Sequence, residues 1–232
     1  MMRWVLLLWL AVGLPGCGTV APPPRHDIAA PVELRAEEGY GWWYAAFRFH
    51  WPKGGAPAWH RDLMVAHRIV APVLSRHLRE IRLWRIHRRA ARDGAGHQFS
   101  FIFYATPATA RRIYAEIEAD PDLAELRRRG IVEAVRLDDT ARITRPGLAD
   151  TSDPNWNEVI QITWPAYIMG VSAMWLELVQ RLAAEQAVHG LAEDDYRRIS
   201  AVLDRLWADH ARHAFLHHLN AVYGYQPFWD RY

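Results

Sequence analysis

The chain has 232 residues, of which 51% are hydrophobic and 23% are charged, and it contains a single cysteine. This composition is that of a globular protein, and it excludes a disordered chain, a collagen-like chain and a small domain held together by disulfides. The formal net charge of +2 argues against a nucleic-acid-binding protein, which normally carries a clear excess of basic residues. The length allows one large domain, or a small domain with an extension.

The N-terminus has the pattern of a secretory signal. Arg3 is followed by an uninterrupted apolar run over residues 4–12. This run is about half the ~20 residues that a membrane-spanning helix needs. We therefore predict a signal peptide over residues 1–16, directly before Cys17. An ordinary signal peptide without lipidation, or a buried cysteine in a cytoplasmic protein, is the alternative.

Residues 14–17, Leu-Pro-Gly-Cys, resemble the lipobox of bacterial lipoproteins. The resemblance covers residues 1–18 and implies that the peptide is cut before Cys17, whose sulfur receives a diacylglycerol and whose new amino group is acylated. Two or three acyl chains hold a protein stably on a bilayer. Gly18 after the cysteine resembles the sorting signal for the outer membrane of Gram-negative bacteria. The resemblance therefore implies a protein anchored in the inner leaflet of the outer membrane and facing the periplasm.

A proline-rich segment follows the predicted anchor. Residues 17–35 contain the predicted lipidated cysteine and the segment 18–31, in which prolines recur. In an extended conformation of ~3.1 Å per residue, this segment spans about 40 Å. We expect it to act as a tether between the membrane and the folded part of the chain.

The part of the chain that follows the predicted tether shows the periodicities of strands and helices in alternation. Apolar residues alternate along residues 41–51 and predict a strand. A 3.6-residue apolar stripe predicts a helix over residues 59–77, which Pro72 should kink or split. Residues 81–89 and 97–105 flank a turn-forming segment, and we interpret them as the two strands of a hairpin.

A second helical region and a fourth strand complete this part. The helix begins at Pro107, is broken at Asp120 and resumes up to Gly130, and residues 131–138 form the last strand. The order strand, helix, strand, strand, helix, strand over residues 36–140 is that of a ferredoxin-like βαββαβ sandwich, an α+β fold. In that topology strands one and three are central, and charged side chains on strands two and four suit the sheet edges.

A C-terminal antiparallel helical hairpin is predicted over residues 152–222, packed on the α+β domain and followed by a tail, residues 223–232. We expect its first helix to begin at Asp153, which can cap it. Residues 159–176 of this helix carry no charge, so they either insert into a membrane or are buried in the protein. Polar residues dilute the apolar run and favour burial.

The second helix of the hairpin begins near Glu193 and ends before Gly224. His210, His213 and His217 continue its apolar stripe. Two imidazoles one helical turn apart can bind one metal ion, and a third can complete or support the site. The three histidines are therefore candidate ligands for a divalent metal or haem. A seam between two helices, with each imidazole hydrogen-bonded, is the structural alternative, and proton chemistry is a third.

Arg48, His50 and Tyr104 are candidates for a ligand-binding face. They lie on the same side of strands one and three if the alternation holds. An aromatic face that ends in arginine and histidine suits an anionic or aromatic ligand. The alternative is that the C-terminal helices cover this face, because exposed aromatic side chains need a cover.

Arg82, Arg85, Arg88 and Arg89 are candidates for a basic patch on strand two. Such a patch could contact lipid headgroups or an acidic partner protein. The alternative is a solvated sheet edge, since the overall charge of the chain is nearly balanced.

The sequence contains no Ser/His/Asp or Cys/His set with convincing spacing, no phosphate-binding glycine loop and no zinc-finger spacing. We therefore predict a lipid-anchored periplasmic envelope protein with a non-catalytic binding or assembly role. Its expected partners are the membrane and an envelope protein or lipid headgroup, with no nucleic acid. The alternative is a metal- or haem-dependent periplasmic enzyme that uses the C-terminal histidines, and no other cofactor is predicted.

Overall fold

The computed structural model describes residues 34–226. The described residues belong to one compact unit. The predicted signal peptide, Cys17 and the proline-rich tether lie outside the described residues, as does the end of the predicted tail.

The described residues combine a four-stranded antiparallel sheet with helices, which confirms the coarse α+β prediction. The strands are β1 (Gly41–Phe49), β2 (Leu83–Ala91), β3 (Gly96–Ala105) and β4 (Val132–Leu137). The helices are α1 (His60–Val65), α2 (Ala71–His77), α3 (Pro107–Glu118), α4 (Pro121–Arg128), α5 (Glu158–Glu185), α6 (Glu193–Leu206) and α7 (His218–Val222). Two π-helical segments, Ala66–Val70 and Trp207–His217, and a 3-10 turn, Leu148–Thr151, complete the described elements.

The sheet has the order β2-β3-β1-β4, so the first and third strands are central, as predicted. The two central strands pair antiparallel over their full length, with Phe47 opposite Phe99. Both phenylalanines are fully buried. The edge strands β2 and β4 carry most of the charged residues of the sheet. One edge of each has no strand partner, and charge there disfavours pairing with other chains.

One face of the sheet holds the main core. Trp43, Phe47 and Phe49 of β1 are buried on this face together with residues from α1 to α6. The opposite face carries a smaller cluster that includes Trp42, Tyr104 and Leu148. The 3-10 turn that contains Leu148 covers this second face, and α5 adds only Met169 to it. The expectation that the C-terminal helices would cover this face is therefore mostly wrong.

Helix α5 packs along the outer edge of β2. The buried backbone N–H of Ile86 donates a hydrogen bond to Ser172 Oγ at 3.0 Å. The same hydroxyl donates to the carbonyl of Ile168 at 2.7 Å. A side chain of α5 thus satisfies a donor of the edge strand that no neighbouring strand can reach.

Two helix boundaries differ from the prediction in an instructive way. The predicted break at Pro72 appears as the π-helical segment Ala66–Val70 just before it. Proline lacks the N–H that an α-helical turn would need at this point, and a π turn accommodates the defect. Helix α5 begins at Glu158 with Asn157 as its cap, and not at Asp153.

Helix α5 is also less buried than predicted. It is long and apolar enough to cross a membrane by length and composition, with a mean hydropathy of 1.3 over its most apolar 18 residues. Only 17% of that window is buried inside the protein. Within residues 159–176, Pro165, Ser172 and Leu176 are the buried residues, because only the side that faces β2 and the core is covered. The prediction that this run is buried on most sides is wrong.

Candidate functional site

A groove lies between α1, α5, α6 and the π-helical segment Trp207–His217. Its cavity volume is about 480 Å³, within the range of ~300–1,000 Å³ that is usual for ligand pockets. We call it the tryptophan groove, because the indole rings of Trp59, Trp175 and Trp207 line it. Trp59 precedes α1, Trp175 lies on α5 and Trp207 begins the π-helical segment. Aliphatic side chains of α5 and α6 form most of the remaining wall.

Arg88 forms the polar part of the groove wall. Its guanidinium carbon lies 5.1 Å from the ring centroid of Trp59 and 5.0 Å from that of Trp175, so the cation is held between two indole rings. Its Nε donates to Asp62 Oδ2 at 2.7 Å, and a terminal nitrogen donates to the carbonyl of Trp59 at 3.0 Å. These contacts fix the guanidinium in one position before any ligand arrives.

Behind Arg88 lies a buried acid–base pair. The side chains of Asp62 and His97 have no exposed surface, and His97 Nε2 lies 2.8 Å from Asp62 Oδ1. The imidazole packs against Phe49 and Trp59, with ring centroids 4.9 Å and 5.1 Å away. Its Nδ1 has no hydrogen-bond partner among the described residues. Asp62 therefore bridges Arg88 of the groove and a buried histidine, and both carboxylate oxygens are occupied.

The sequence prediction missed Asp62 and His97. His97 shares one face of β3 with Phe99, and Asp62 immediately precedes the buried Leu63 of α1. In each case, a polar residue among buried apolar neighbours was the signal in the sequence that could have identified it. Their pairing was not visible, because nothing in the sequence pattern relates two single positions that are far apart in the chain.

Arg48 and His50 lie together at the end of β1, in a polar pocket of about 290 Å³. His50 Nδ1 lies 2.8 Å from one carboxylate oxygen of Glu133, and Arg48 Nε lies 3.6 Å from the other. Beside them the guanidinium of Arg92 stacks over the ring of Trp51, at 3.6 Å from its centroid. The cations of this pocket are thus partly neutralised by Glu133.

Tyr104, the third candidate of the predicted ligand face, lies elsewhere. It is buried at 1% exposure, contacts the ring of Trp42 at a tilted angle and donates a hydrogen bond to the carbonyl of Pro146 at 2.8 Å. Arg48 pairs with Gln98, six positions before Tyr104 on β3, which corresponds to about 20 Å along the strand. The predicted face of Arg48, His50 and Tyr104 is therefore not one site, although the alternation that placed them on one side of the sheet was correct.

The three histidines of the C-terminal helix are exposed. The rings of His213 and His217 stack in parallel with centroids 4.8 Å apart, and His218 lies 5.4 Å from His217. The buried residue of this segment is Ala211, so the prediction that His210, His213 and His217 continue the buried stripe is wrong. Each π-helical turn takes one residue more than an α-helical turn, which rotates the later residues off the stripe. Within residues 34–226, no group of three His, Cys, Asp or Glu side chains is arranged to hold a metal ion.

The four arginines predicted as a basic patch are separated by their partners. They contact Glu37 (Arg82), the carbonyl of Thr151 (Arg85), Asp62 (Arg88) and Asp93 (Arg89). Arg88 points to the opposite face of β2 from Arg85 and Arg89, as the alternation of a strand requires. Burial lowers the pKa of Arg85. The arrangement is a set of individual contacts and not one cationic surface.

The tryptophan groove offers apolar walls, the positioned guanidinium of Arg88, the hydroxyl of Ser200 and the carboxylate of Asp204. A mostly apolar cavity with a few polar groups is suited to holding a small molecule in one orientation. Comparisons with protein-family models, with curated proteins and with solved structures find no match for this chain.

Proposed function

We propose that this chain is a lipid-anchored protein of the bacterial envelope, attached through Cys17 and facing the periplasm, with a non-catalytic binding role. The observation that carries the binding role is the tryptophan groove, with its volume of about 480 Å³ and its three indole rings. The class of ligand that fits is a small, largely apolar molecule, because contact with this apolar wall removes the apolar surface of the ligand from water. A lipoprotein that binds apolar molecules would act where such molecules are abundant, next to a membrane.

We infer further that residues 36–140 adopt the ferredoxin-like βαββαβ arrangement. The sheet order β2-β3-β1-β4 and the antiparallel pairing of every neighbouring pair support it. The connections support it as well, since α1 and α2 lie between β1 and β2, and α3 and α4 lie between β3 and β4.

The replacement Cys17→Ser is expected to abolish acylation of the protein, because Cys17 is the single cysteine of the chain. The measurement is metabolic labelling with an alkyne-bearing palmitate in a Gram-negative host, followed by separation of membranes from the periplasm. Acyl label that persists on the serine variant would overturn the proposed anchor.

The replacement Ser200→Trp is expected to fill the tryptophan groove and to weaken binding of an apolar ligand about tenfold or more. Ser200 lines the groove on α6, whereas its neighbour Ala201 is exposed and does not line it. Ala201→Trp therefore serves as the matched control. The measurement is a fluorescence titration of the chain 18–232 with the uncharged dye N-phenyl-1-naphthylamine.

Equal dye binding by the two tryptophan variants would contradict the groove as the binding site. The same preparation, made without a histidine tag, tests the enzyme alternative. Stoichiometric metal or a haem Soret band, lost in His213→Ala and His217→Ala, would favour a metal- or haem-dependent enzyme over the binding role.

A further inference from the structure

The N-terminal half of α5 carries a row of apolar and aromatic side chains, most of them exposed. Ile160, Trp164, Tyr167 and Val171 follow one another at intervals of three or four residues, which places them on one side of the helix, and Trp156, just before the helix, extends the row by its contact with Trp164. The exposed fraction is 53% for Ile160, 46% for Tyr167 and 38% for Trp156. We call this row the aromatic ridge. An apolar surface of this kind normally marks a site of interaction.

The ridge is preorganised by its own aromatic contacts. The ring of Trp164 lies 5.0 Å from that of Trp156 and 5.4 Å from that of Tyr167, measured between centroids. Tryptophan and tyrosine are the residues that favour the boundary between a bilayer and water, because each has an apolar body and one polar group. The composition of the ridge therefore points to a lipid surface as its partner.

A second side of α5 packs on the folded protein. Leu176 and Val179 are buried in the main core, and Ser172 satisfies the backbone of β2. If α5 crossed a bilayer, these contacts would be lost and the edge of the sheet would be exposed. The geometry therefore favours a helix that lies on a membrane with one face, and not one that spans it.

The point where the chain enters the described structure lies near α5. Leu34 packs against the cluster of Trp42 and Tyr104, and Met169 of α5 packs against the same cluster. Sixteen residues, 18–33, separate Leu34 from Cys17. Even fully extended, this length spans no more than about 60 Å. An anchor at Cys17 would therefore keep α5 within reach of the bilayer.

The ridge contains no charge. No Asp, Glu, Lys or Arg occurs from Val159 to Leu176, and the charged residues that flank this run are Glu158 and Glu177. These acidic residues are not attracted to the headgroups of anionic lipids. The contact must therefore come from apolar burial, which does not depend on the charge of the headgroups or on salt.

We propose that the aromatic ridge of α5 is a membrane-contact surface that lies flat on the bilayer, with its tryptophan and tyrosine rings at the level of the headgroups. This proposal rests on the proposed lipid anchor, which brings the ridge to the membrane. It assigns to the chain a second, reversible contact with lipid, which would set the orientation of the folded body relative to the bilayer.

The test uses the chain 18–232, which lacks Cys17, so that lipid binding is measured without the proposed anchor. Its binding to neutral phosphatidylcholine vesicles is measured by flotation. The replacement Ile160→Asp is expected to lower the partition coefficient about tenfold or more, because it puts a charge into the centre of the ridge. Leu78→Asp is the matched control: Leu78 is also 53% exposed but lies after α2, and its replacement should leave binding unchanged.

Three results would overturn the proposal. One is equal partitioning of Ile160→Asp and Leu78→Asp, with circular dichroism showing that both are folded. The second is binding that requires anionic lipid and disappears at high salt. The third is a dimer in analytical ultracentrifugation that Ile160→Asp dissociates, which would assign the ridge to a second copy of the chain. A failed anchor is recognised separately, by the acyl labelling of Cys17.

Discussion

The replacement Asp62→Ala is expected to lower the free energy of unfolding by about 3–5 kcal/mol. Asp62 has no exposed surface, and its carboxylate contacts both Arg88 and the buried His97. Alanine would leave the imidazole of His97 without any hydrogen-bond partner, and it would leave the guanidinium of Arg88 without its counter-charge. The measurement is urea unfolding of the chain 18–232, followed by tryptophan fluorescence and circular dichroism.

Glu133→Ala is the control for this prediction. Glu133 also contacts an arginine and a histidine, Arg48 and His50, but its side chain is 40% exposed. Water can replace the lost contacts there, so we expect a change below about 1 kcal/mol. Similar losses for Asp62→Ala and Glu133→Ala would show that burial of the carboxylate is not what makes this contact important.

The replacement Trp43→Ala is expected to cost about 3–5 kcal/mol of stability, because it leaves a large cavity in the main core. Trp43 is 1% exposed, and its indole N–H donates to the carbonyl of Ala105 at 2.8 Å. Both the packing and this hydrogen bond between the two central strands are lost in the alanine variant. The measurement is again the midpoint and slope of urea unfolding.

Trp156→Ala makes the same chemical change on the aromatic ridge. Because Trp156 is 38% exposed, we expect a change within about 1 kcal/mol. The two variants together separate the tryptophans that stabilise the core from those that face outward. A loss of several kcal/mol in Trp156→Ala would mean that the ridge is structural.

The strands of the sheet were predictable from local pattern. Apolar alternation along β1 and β3 has the period of a strand, and the charges on β2 and β4 mark edges, so both the strands and their central or peripheral positions were visible in the sequence. The start of α5 was less predictable, because Asp153 and Asn157 are both good caps and the structure uses Asn157.

The candidate site was not predictable in the same way. Trp59, Trp175 and Trp207 come from distant parts of the chain, and only the packing of α5 and α6 on α1 brings them to one groove. Asp62 and His97 are also far apart in the sequence, and only the folded chain brings them into contact. Arg88 was predicted to belong to a basic patch because of its charge. In the structure it contacts one buried carboxylate and is not part of a cationic surface.

Two predictions about the C-terminal helices failed, one based on helical periodicity and one based on composition. The histidines at 210, 213 and 217 are in phase with the stripe of α6 only if the helix stays α-helical, and the π-helical segment Trp207–His217 changes that phase. For α5, the polar residues that dilute its uncharged run were interpreted as favouring burial, whereas a large part of its apolar surface is exposed.

The sequence by itself determined the strand pattern, the helix pattern and the resemblance to a lipoprotein signal that ends at Cys17, because these depend on residues close together in the chain. Only the tertiary structure decided which side chains meet and which surfaces stay uncovered. The groove, the contact of Asp62 with Arg88 and His97, and the exposed ridge of α5 arise between elements. Such contacts depend on distances in space that local periodicity does not contain.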